Sequence, residues 1–247
     1  MFRGQEHLTR EQMVDFAAHF GQVGVRYGED RHVPNSPQDL SHPIDVPGIP
    51  EMLVLVSDEK VPGAAANWHC DATWQQRPPM GSILMCREAP PVGGDTIFAN
   101  MYAAYDALSD GMKRLLAGLV GISSSRKADA VRTREDRVSE VGTPTNNTEL
   151  TGKHPVVRTH PETGRRALYL NVAHTVRFSG MTEEESAPTL HYLYEHSVRP
   201  EFTCRFSWDA GSMAIWDNRC TMHNPVNDYH GYLREMHRIT LKGDVPR

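Results

Sequence analysis

The sequence predicts a mainly β fold with helical additions, of the sandwich or jelly-roll type. Short runs of apolar and β-branched residues recur along the chain, and Pro, Gly, Asn or Asp bound them, as is typical of strands joined by turns. Only a few segments have helical periodicity, and no internal repeat is present. The 247 residues are compatible with one such β domain, so residues 1–247 are predicted to form a single domain.

The predicted helices are marked by residues that can cap their N-termini. The caps are Thr9 and Thr182, each in a capping box, together with Asn100 and Ser109. Met13, Phe16, Ala17 and Phe20 follow the first cap at helical spacing, with Gly21 as the stop signal.

The strand predictions rest on apolar runs between turn residues. They fall in EMLVLVSD, GSILMCREA, PVVRTH, RRALYL, FTCRFSW, SMAIWD and REMHRITL, and TIFANM leaves a Gly93-Gly94-Asp95 turn. Residues 123–153 differ from these runs because Ser, Arg, Glu, Asp, Thr and Asn dominate them. That composition predicts a flexible, lid-like insertion.

Composition excludes several classes of function. The net charge of -5 and the absence of a long basic run argue against a nucleic-acid partner. The four cysteines form no C-x-x-C pair, which argues against a disulfide scaffold or a zinc ribbon. We find neither a secretory signal nor an apolar run long enough to span a membrane, so the cytoplasm is the expected location.

The segment NWHCDATW places an imidazole and a carboxylate two positions apart, at His69 and Asp71. If the segment is a strand, the two side chains lie on the same face. One more histidine would complete a 2-His-1-carboxylate triad, the ligand set of non-haem Fe(II) oxygenases. His223, after an apolar strand in WDNRCTMHNP, is our candidate. Taken alone, His69 and Asp71 favour a structural hydrogen-bonded pair over a metal site.

The same His-x-acid spacing recurs at His160 and Glu162, in the sequence HPETG. This motif lies in a predicted turn between two strands. Its side chains are therefore expected to be solvated, and we interpret it as a turn and not as a ligand pair.

The predicted last strand carries two arginines on one face. In REMHRIT the alternating residues are Arg234, Met236, Arg238 and Thr240. A buried face rarely holds two guanidinium groups without anionic partners. Arginine binds carboxylates and sulfonates in a bidentate manner, so one arginine is predicted to bind a co-substrate and the other a substrate.

Taken together, these motifs resemble the taurine and 2,4-dichlorophenoxyacetate dioxygenase superfamily. The resemblance extends over nearly the whole chain, in order: NWHCDATWQQRPPMGSILMCREAPPVGGDTIFANMYAAYDAL, then HPVVRTHPETGRRALYLN, then WDNRCTMHNPVNDY and REMHRITLKGD. It implies a cupin-like double-stranded β-helix and an oxygenase that uses Fe(II) and 2-oxoglutarate. Relatives of this kind are commonly dimers or tetramers, so a homo-oligomer is expected.

The resemblance also implies roles for individual residues. His69, Asp71 and His223 would be the metal ligands. Thr96 and Arg234 would bind 2-oxoglutarate. The implied substrate-binding candidates are Arg238, His42, Ala72 and His174.

The implied reaction is hydroxylation of a small organic anion by O₂, with succinate and CO₂ as co-products. Sulfonates, alkyl sulfates and aryloxyalkanoates are the expected substrate classes. Asp45 stands where the taurine enzymes have a tyrosine, and His174 stands at a usually aromatic position, which speaks against taurine itself. The chain also begins later than members of the superfamily do.

Two alternative functions remain open from the sequence. The same His/Asp/His set can hold zinc in a hydrolase. A catalytically inactive relative that only binds a ligand or a partner is the other alternative.

Overall fold

A computed structural model of the chain describes residues 1–24, 43–59, 67–125 and 149–247. The helices in this part are α1 (Arg10–Ala18), α2 (Met101–Asp106), α3 (Asp110–Leu116) and α4 (Glu183–Ser197). The strands are β1 (Pro43–Val46), β2 (Ile49–Ser57), β3 (Gly81–Glu88), β4 (Thr96–Asn100), β5 (Val120–Ser124), β6 (Thr151–Pro155), β7 (Val157–Thr159), β8 (Arg166–Leu168), β9 (Thr175–Phe178), β10 (Thr203–Phe206), β11 (Met213–Asp217), β12 (Thr221–Pro225) and β13 (Arg234–Leu241). The prediction of a mainly β fold with helical additions is confirmed.

The strands pair antiparallel in two main sheets. A five-stranded sheet has the order β1-β2-β13-β3-β11, and a three-stranded sheet has the order β10-β4-β12. A second three-stranded sheet, β6-β5-β9, and the hairpin β7-β8 lie beside them. The order of the strands in the five-stranded sheet differs from their order along the chain, because the last strand, β13, lies between β2 and β3.

Side chains from the two main sheets share one buried layer. Cys86 of β3 and Met236 of β13 pack with Phe98 of β4, Phe206 of β10 and Trp216 of β11. The two sheets therefore face each other as a sandwich, which brings the inner faces of β4, β12 and β13 together. Burying each large apolar side chain of such a layer contributes about 1.5–3 kcal/mol.

Helices cover the outside of the sandwich. Met13 and Ala17 of α1 are fully buried against β2, β3, β11 and β13. α2 and α4 pack with the hairpin and β12 in a separate cluster. The predicted caps are confirmed. Thr9 and Thr182 form capping boxes, and the side chains of Asn100 and Ser109 cap the N-termini of α2 and α3. None of the described helices is long and apolar enough to cross a bilayer.

Both ends of the predicted lid-like insertion, residues 123–153, lie in strands. Its first residues belong to β5 and its last to β6, and these strands pair with each other through Ser123 and Gly152. Each strand contributes only a few residues to the segment, and the composition of residues 123–153 therefore did not indicate the two strands. Residues 126–148 lie outside the described residues, so the rest of this prediction is not tested.

Candidate metal centre

The loop from Asn67 to Trp74 approaches β12 through a single backbone bridge. The amide of His69 donates to the carbonyl of His223 at 2.8 Å, and the amide of His223 donates back at 2.8 Å. The prediction that His69 to Asp71 is a strand is wrong, because only His69 forms this bridge and a turn begins at Asp71. The bridge still brings the side chains of all three residues together.

The turn after Asp71 is held by side chains from elsewhere in the fold. Ala72 adopts a left-handed conformation with φ of 46°, which is uncommon for a residue other than glycine and is found where surrounding contacts enforce it. Asn171 donates to the carbonyl of Cys70 at 2.5 Å and to the hydroxyl of Thr73 at 2.9 Å. His154 donates to the carbonyl of Thr73 at 2.7 Å. The loop geometry is therefore fixed from two directions.

Three donor atoms converge at the centre of this site. Nε2 of His69 and Nε2 of His223 each lie 3.8 Å from Oδ1 of Asp71. The ligand atoms of the three residues all lie within 4.8 Å of one another. This is the convergence predicted from the sequence.

The protonation states suit a metal centre. Nδ1 of His69 lies 2.8 Å from the carbonyl of Asn67, which can only accept, so Nδ1 carries the proton and Nε2 keeps its lone pair. Burial lowers the pKa of His69 and lowers that of His223 well below its usual value. Both imidazoles are therefore neutral at neutral pH, as metal binding requires.

The two oxygens of Asp71 have different surroundings. Oδ2 accepts two hydrogen bonds, from Ser82 at 2.7 Å and Asn218 at 3.0 Å, and it forms an ion pair with Arg238 at 2.7 Å. Burial would raise the pKa of Asp71, but Arg238 and the Ser82 hydrogen bond help to hold that pKa well below its usual range. Asp71 is thus a carboxylate with Oδ1 directed toward the two histidines.

Two neutral imidazole nitrogens and one carboxylate oxygen form the donor set that fits a non-haem Fe(II) ion. The three ligand residues come from two segments only: His69 and Asp71 from the loop, and His223 from β12. The residues of this chain therefore fit the metal that the sequence predicts.

Arg234 is a buried cation without an anionic partner among the described residues. Its guanidinium lies 5.5 Å from the ring of Tyr229 and donates weakly to the carbonyl of Gly94 at 3.4 Å, while its Nε has no partner. Burial lowers the pKa of Arg234. Thr96, the first residue of β4, is also buried. Its hydroxyl oxygen accepts a hydrogen bond from the indole N–H of Trp208 at 3.0 Å. The hydroxyl proton of Thr96 remains available to a ligand.

Arg238 is already engaged, in contrast to the expectation of a guanidinium waiting for substrate. Besides its ion pair with Asp71, it donates to Ser82 at 3.4 Å. Its Nε is buried and has no partner. The guanidinium thus holds the metal ligand through Nη2, and 23% of the Arg238 side chain remains exposed.

The other substrate-binding candidates differ in position. His174 is fully buried and meets Trp74 edge to face, with ring centroids 4.6 Å apart. Ala72 follows Asp71 directly and is partly exposed. His42 lies outside the described residues. Their predicted roles as substrate contacts stay predictions.

The expectation of a solvated His160 is wrong. His160 is 4% exposed, and its Nε2 lies 3.0 Å from Oδ2 of Asp217. The turn folds back onto the end of β11, which sequence spacing cannot show. Glu162 is exposed, as expected, with 69% of its side chain accessible.

Several residues of the site escaped the sequence interpretation. They are Ser82 and Asn218, which hold Asp71, and Asn171 and His154, which hold the loop. A serine inside the apolar run GSILMCRE was the one available signal, because a buried polar side chain needs a partner.

Comparisons with known proteins agree with this geometry. Residues 1–240 match the family model described as "Taurine catabolism dioxygenase TauD, TfdA family". An alpha-ketoglutarate-dependent sulfate ester dioxygenase from Pseudomonas putida is 36% identical over 99% of this chain and 77% of its own length. An alkylsulfatase from Acinetobacter baylyi is 35% identical over 99% of this chain and 73% of its own length.

A solved structure titled as a putative alpha-ketoglutarate-dependent taurine dioxygenase from Burkholderia xenovorans matches with a TM-score of 0.75 and 36% identity, covering 97% of this chain and 76% of that one. This match confirms the predicted jelly-roll fold class. The family model, the relatives and the solved structure agree, and the chain belongs to the taurine catabolism dioxygenase TauD, TfdA family.

Proposed function

We propose that the protein is an Fe(II)- and 2-oxoglutarate-dependent dioxygenase that hydroxylates a small organic anion. The observation that carries this proposal is the three-donor centre of His69, Asp71 and His223, together with Arg234, a buried cation without an anionic partner among the described residues. Family membership supports it. A zinc hydrolase would need the three ligands but would have no use for the cation at Arg234.

His69 and His223 would hold the iron through Nε2, and Asp71 would hold it through Oδ1. When bound, the iron would supply the redox chemistry that couples oxidative decarboxylation of 2-oxoglutarate, to succinate and CO₂, with insertion of one oxygen atom of O₂ into a substrate C–H bond. The protein contributes geometry: the bridge between His69 and His223, the two hydrogen bonds to Asp71 and its ion pair with Arg238 fix the ligands in advance.

Arg234 and Thr96 would bind the distal carboxylate of 2-oxoglutarate. A guanidinium binds a carboxylate through charge-assisted hydrogen bonds, and burial strengthens that interaction. The unpaired Nε of Arg234 supports the assignment, since the cost of burying this cation is offset only when an anion is present.

Arg238 would bind the anionic group of the substrate through the part of its guanidinium that Asp71 does not occupy. The names of the two relatives favour sulfate esters over sulfonates and aryloxyalkanoates. Hydroxylation of the carbon that bears the sulfate oxygen would give an unstable product. It would break down to an aldehyde and inorganic sulfate, with the hydroxyl proton leaving on the sulfate.

Three further predictions belong to this proposal. A cytoplasmic location, a dimer or tetramer, and closure of the 123–153 segment over the site all follow from the sequence interpretation. Fractionation, light scattering of the purified protein and limited proteolysis with and without 2-oxoglutarate would test them in that order.

The function is tested by anaerobic loading with Fe(II), followed by O₂ and 2-oxoglutarate in the presence of alkyl sulfates, alkyl sulfonates or aryloxyacetates. We expect substrate-dependent succinate formation, with sulfate release from an alkyl sulfate. Asp71→Ala should abolish both, because the three-ligand set then lacks its carboxylate.

Asp106→Ala is the matched control, since Asp106 pairs with Arg165 at the surface, where 63% of its side chain is exposed. It should retain wild-type turnover. Hydrolysis of the same esters without O₂ or 2-oxoglutarate, or full activity in Asp71→Ala, would refute the proposal.

A further inference from the structure

Asn218 links the metal ligand Asp71 to the core of the sandwich. Its Nδ2 donates to Oδ2 of Asp71 at 3.0 Å, and its Oδ1 accepts from the indole N–H of Trp216 at 2.9 Å. Because an indole N–H can only donate, it fixes the orientation of the amide, and Nδ2 must face the carboxylate. Asn218 is only 1% exposed. The amide therefore has one orientation in which both bonds form.

This contact directs the carboxylate. With Ser82 and Arg238 it occupies Oδ2 of Asp71 and leaves Oδ1 toward the two histidines. Partners of this kind, which contact a metal ligand and not the metal, orient the ligand and tune its affinity. These three contacts favour binding of a metal through a single oxygen of Asp71.

The turn that carries Asn218 is fastened on both sides. Asp217 accepts from the backbone and side chain of Arg219, and the guanidinium of Arg219 reaches Glu162 at 2.8 Å. The imidazole of His160 lies 3.0 Å from Asp217. The HPETG turn thus holds the residues on either side of Asn218.

The group of His160, Asp217 and Cys220 has the composition of a second metal site, but its hydrogen bonding argues against one. Nδ1 of His160 accepts from the amides of Glu162 and Thr163, at 3.2 and 3.3 Å. The proton therefore resides on Nε2, which donates to Asp217 and has no lone pair for a metal. The positive charge of Arg219 also neutralises this carboxylate.

We propose that the HPETG turn is a positioning element of the metal centre, acting from His160 through Asp217 to Asn218, and that Asn218 is a positioning residue that directs Asp71 toward the metal. This inference rests on the proposed metal centre. It assigns a role to the second His-x-acid motif, which the reaction itself does not use.

The test measures Mn(II) binding to the full chain by electron paramagnetic resonance of the free ion, without O₂ and without turnover. Asn218→Leu keeps a similar volume and charge but removes the donor, and we expect its dissociation constant to rise about 10- to 100-fold. His160→Leu should weaken binding in the same direction but less, because it acts through the turn. His160→Gln keeps a donor near the position of Nε2 and should restore affinity.

His191→Leu is the matched control, because it makes the same change at an exposed residue of α4, whose Nε2 lies 3.3 Å from Oε1 of Glu195. It should bind Mn(II) like the wild type. Thermal unfolding of each metal-free variant identifies those that fold, and either Leu variant alone decides the question. Wild-type affinity in a folded Asn218→Leu or His160→Leu would overturn the positioning role. Failure of the wild type to bind Mn(II) would instead overturn the proposed metal centre.

Discussion

Asp71 and Arg238 form an ion pair of 2.7 Å inside the site. Asp71 is almost fully buried, and Arg238 keeps 23% of its side chain exposed. The pair joins the proposed metal ligand to the residue proposed to bind the substrate anion. Arg238 therefore balances the charge of Asp71 before any metal or substrate is present.

Replacing Arg238 should affect the metal-free protein more than the metal-bound protein. In Arg238→Gln the carboxylate of Asp71 remains buried without a cation, which should lower the free energy of unfolding by about 3–5 kcal/mol. A bound divalent ion would supply the missing positive charge and reduce this loss. Urea unfolding with a chelator and with Mn(II) measures both values.

Arg165→Gln provides the control for Arg238→Gln, because the Arg165–Asp106 pair is at the surface, where such pairs contribute about 0–1 kcal/mol. An Arg238→Gln variant with the same loss in chelator and in Mn(II) would contradict the compensation by metal.

Arg234 should lower the stability of the ligand-free protein and should be necessary for binding 2-oxoglutarate. Arg234→Met removes a buried cation without a carboxylate partner among the described residues, so stability without 2-oxoglutarate should equal or exceed that of the wild type. The same variant should lose the stabilisation that 2-oxoglutarate gives, because the charge-assisted bonds to its carboxylate are gone. Thermal unfolding over a 2-oxoglutarate titration tests both parts.

A large loss of stability in ligand-free Arg234→Met would instead assign Arg234 a structural role. Arg158→Met serves as the comparison, since Arg158 is also buried but pairs with Asp244 at 2.6 Å. Removing that paired cation should destabilise the chain.

The sequence predicted the parts of the fold that depend on local chemistry. The capping boxes at Thr9 and Thr182 and the strand REMHRITL are predicted from local patterns, and the structure reproduces them. The convergence of His69 and Asp71 with His223 was also expected. Its reason was partly wrong, since a turn and a bridge place the ligands where a continuous strand was predicted.

Contacts between distant segments could not be predicted in this way. Ser82 and Asn218 lie 11 and 147 positions from Asp71, and nothing in their neighbours indicates a shared partner. The burial of His160 has the same origin, because it depends on how the hairpin β7-β8 packs against the end of β11. Local composition favoured a solvated turn, and the tertiary contact with Asp217 prevailed.

Stability of the metal-free protein should rise with pH between about 5 and 7. Burial lowers the pKa of His69, His154, His223 and His237 below the unfolded value of 6.5. Near pH 6 the unfolded chain therefore binds more protons than the folded chain, and the free energy of unfolding increases as the pH is raised through 6.5. The contribution of Asp71 lies in a separate window at lower pH, because its folded pKa is lowered.

Urea unfolding in chelator at several pH values measures this slope. His223→Gln removes one of the four groups and should reduce the slope between pH 5 and 7. A His223→Gln variant with an unchanged slope would show that protonation of this imidazole does not oppose folding.

A side chain at position 93 should destabilise the protein for two reasons, and each can be measured separately. The φ of 75° at Gly93 lies in the left-handed region, where a residue with a Cβ costs about 1–2 kcal/mol. A Cβ there would also meet the side chain of Asp228 and lie 2.9 Å from its carbonyl oxygen. Asp228 accepts from the amide of Gly94, whose carbonyl contacts Arg234. Gly93→Ala should thus destabilise the chain and weaken 2-oxoglutarate binding together.

Gly118→Ala isolates the backbone effect, because Gly118 has a φ of 84° and a Cβ there would meet nothing within 4 Å. It should lower the free energy of unfolding by the left-handed cost alone and leave 2-oxoglutarate affinity unchanged. The excess loss in Gly93→Ala, measured by urea unfolding and by 2-oxoglutarate titration, then reports the clash with Asp228. Equal losses in the two variants would mean that the loop carrying Asp228 moves aside without cost, and that it does not fix the turn beside Arg234.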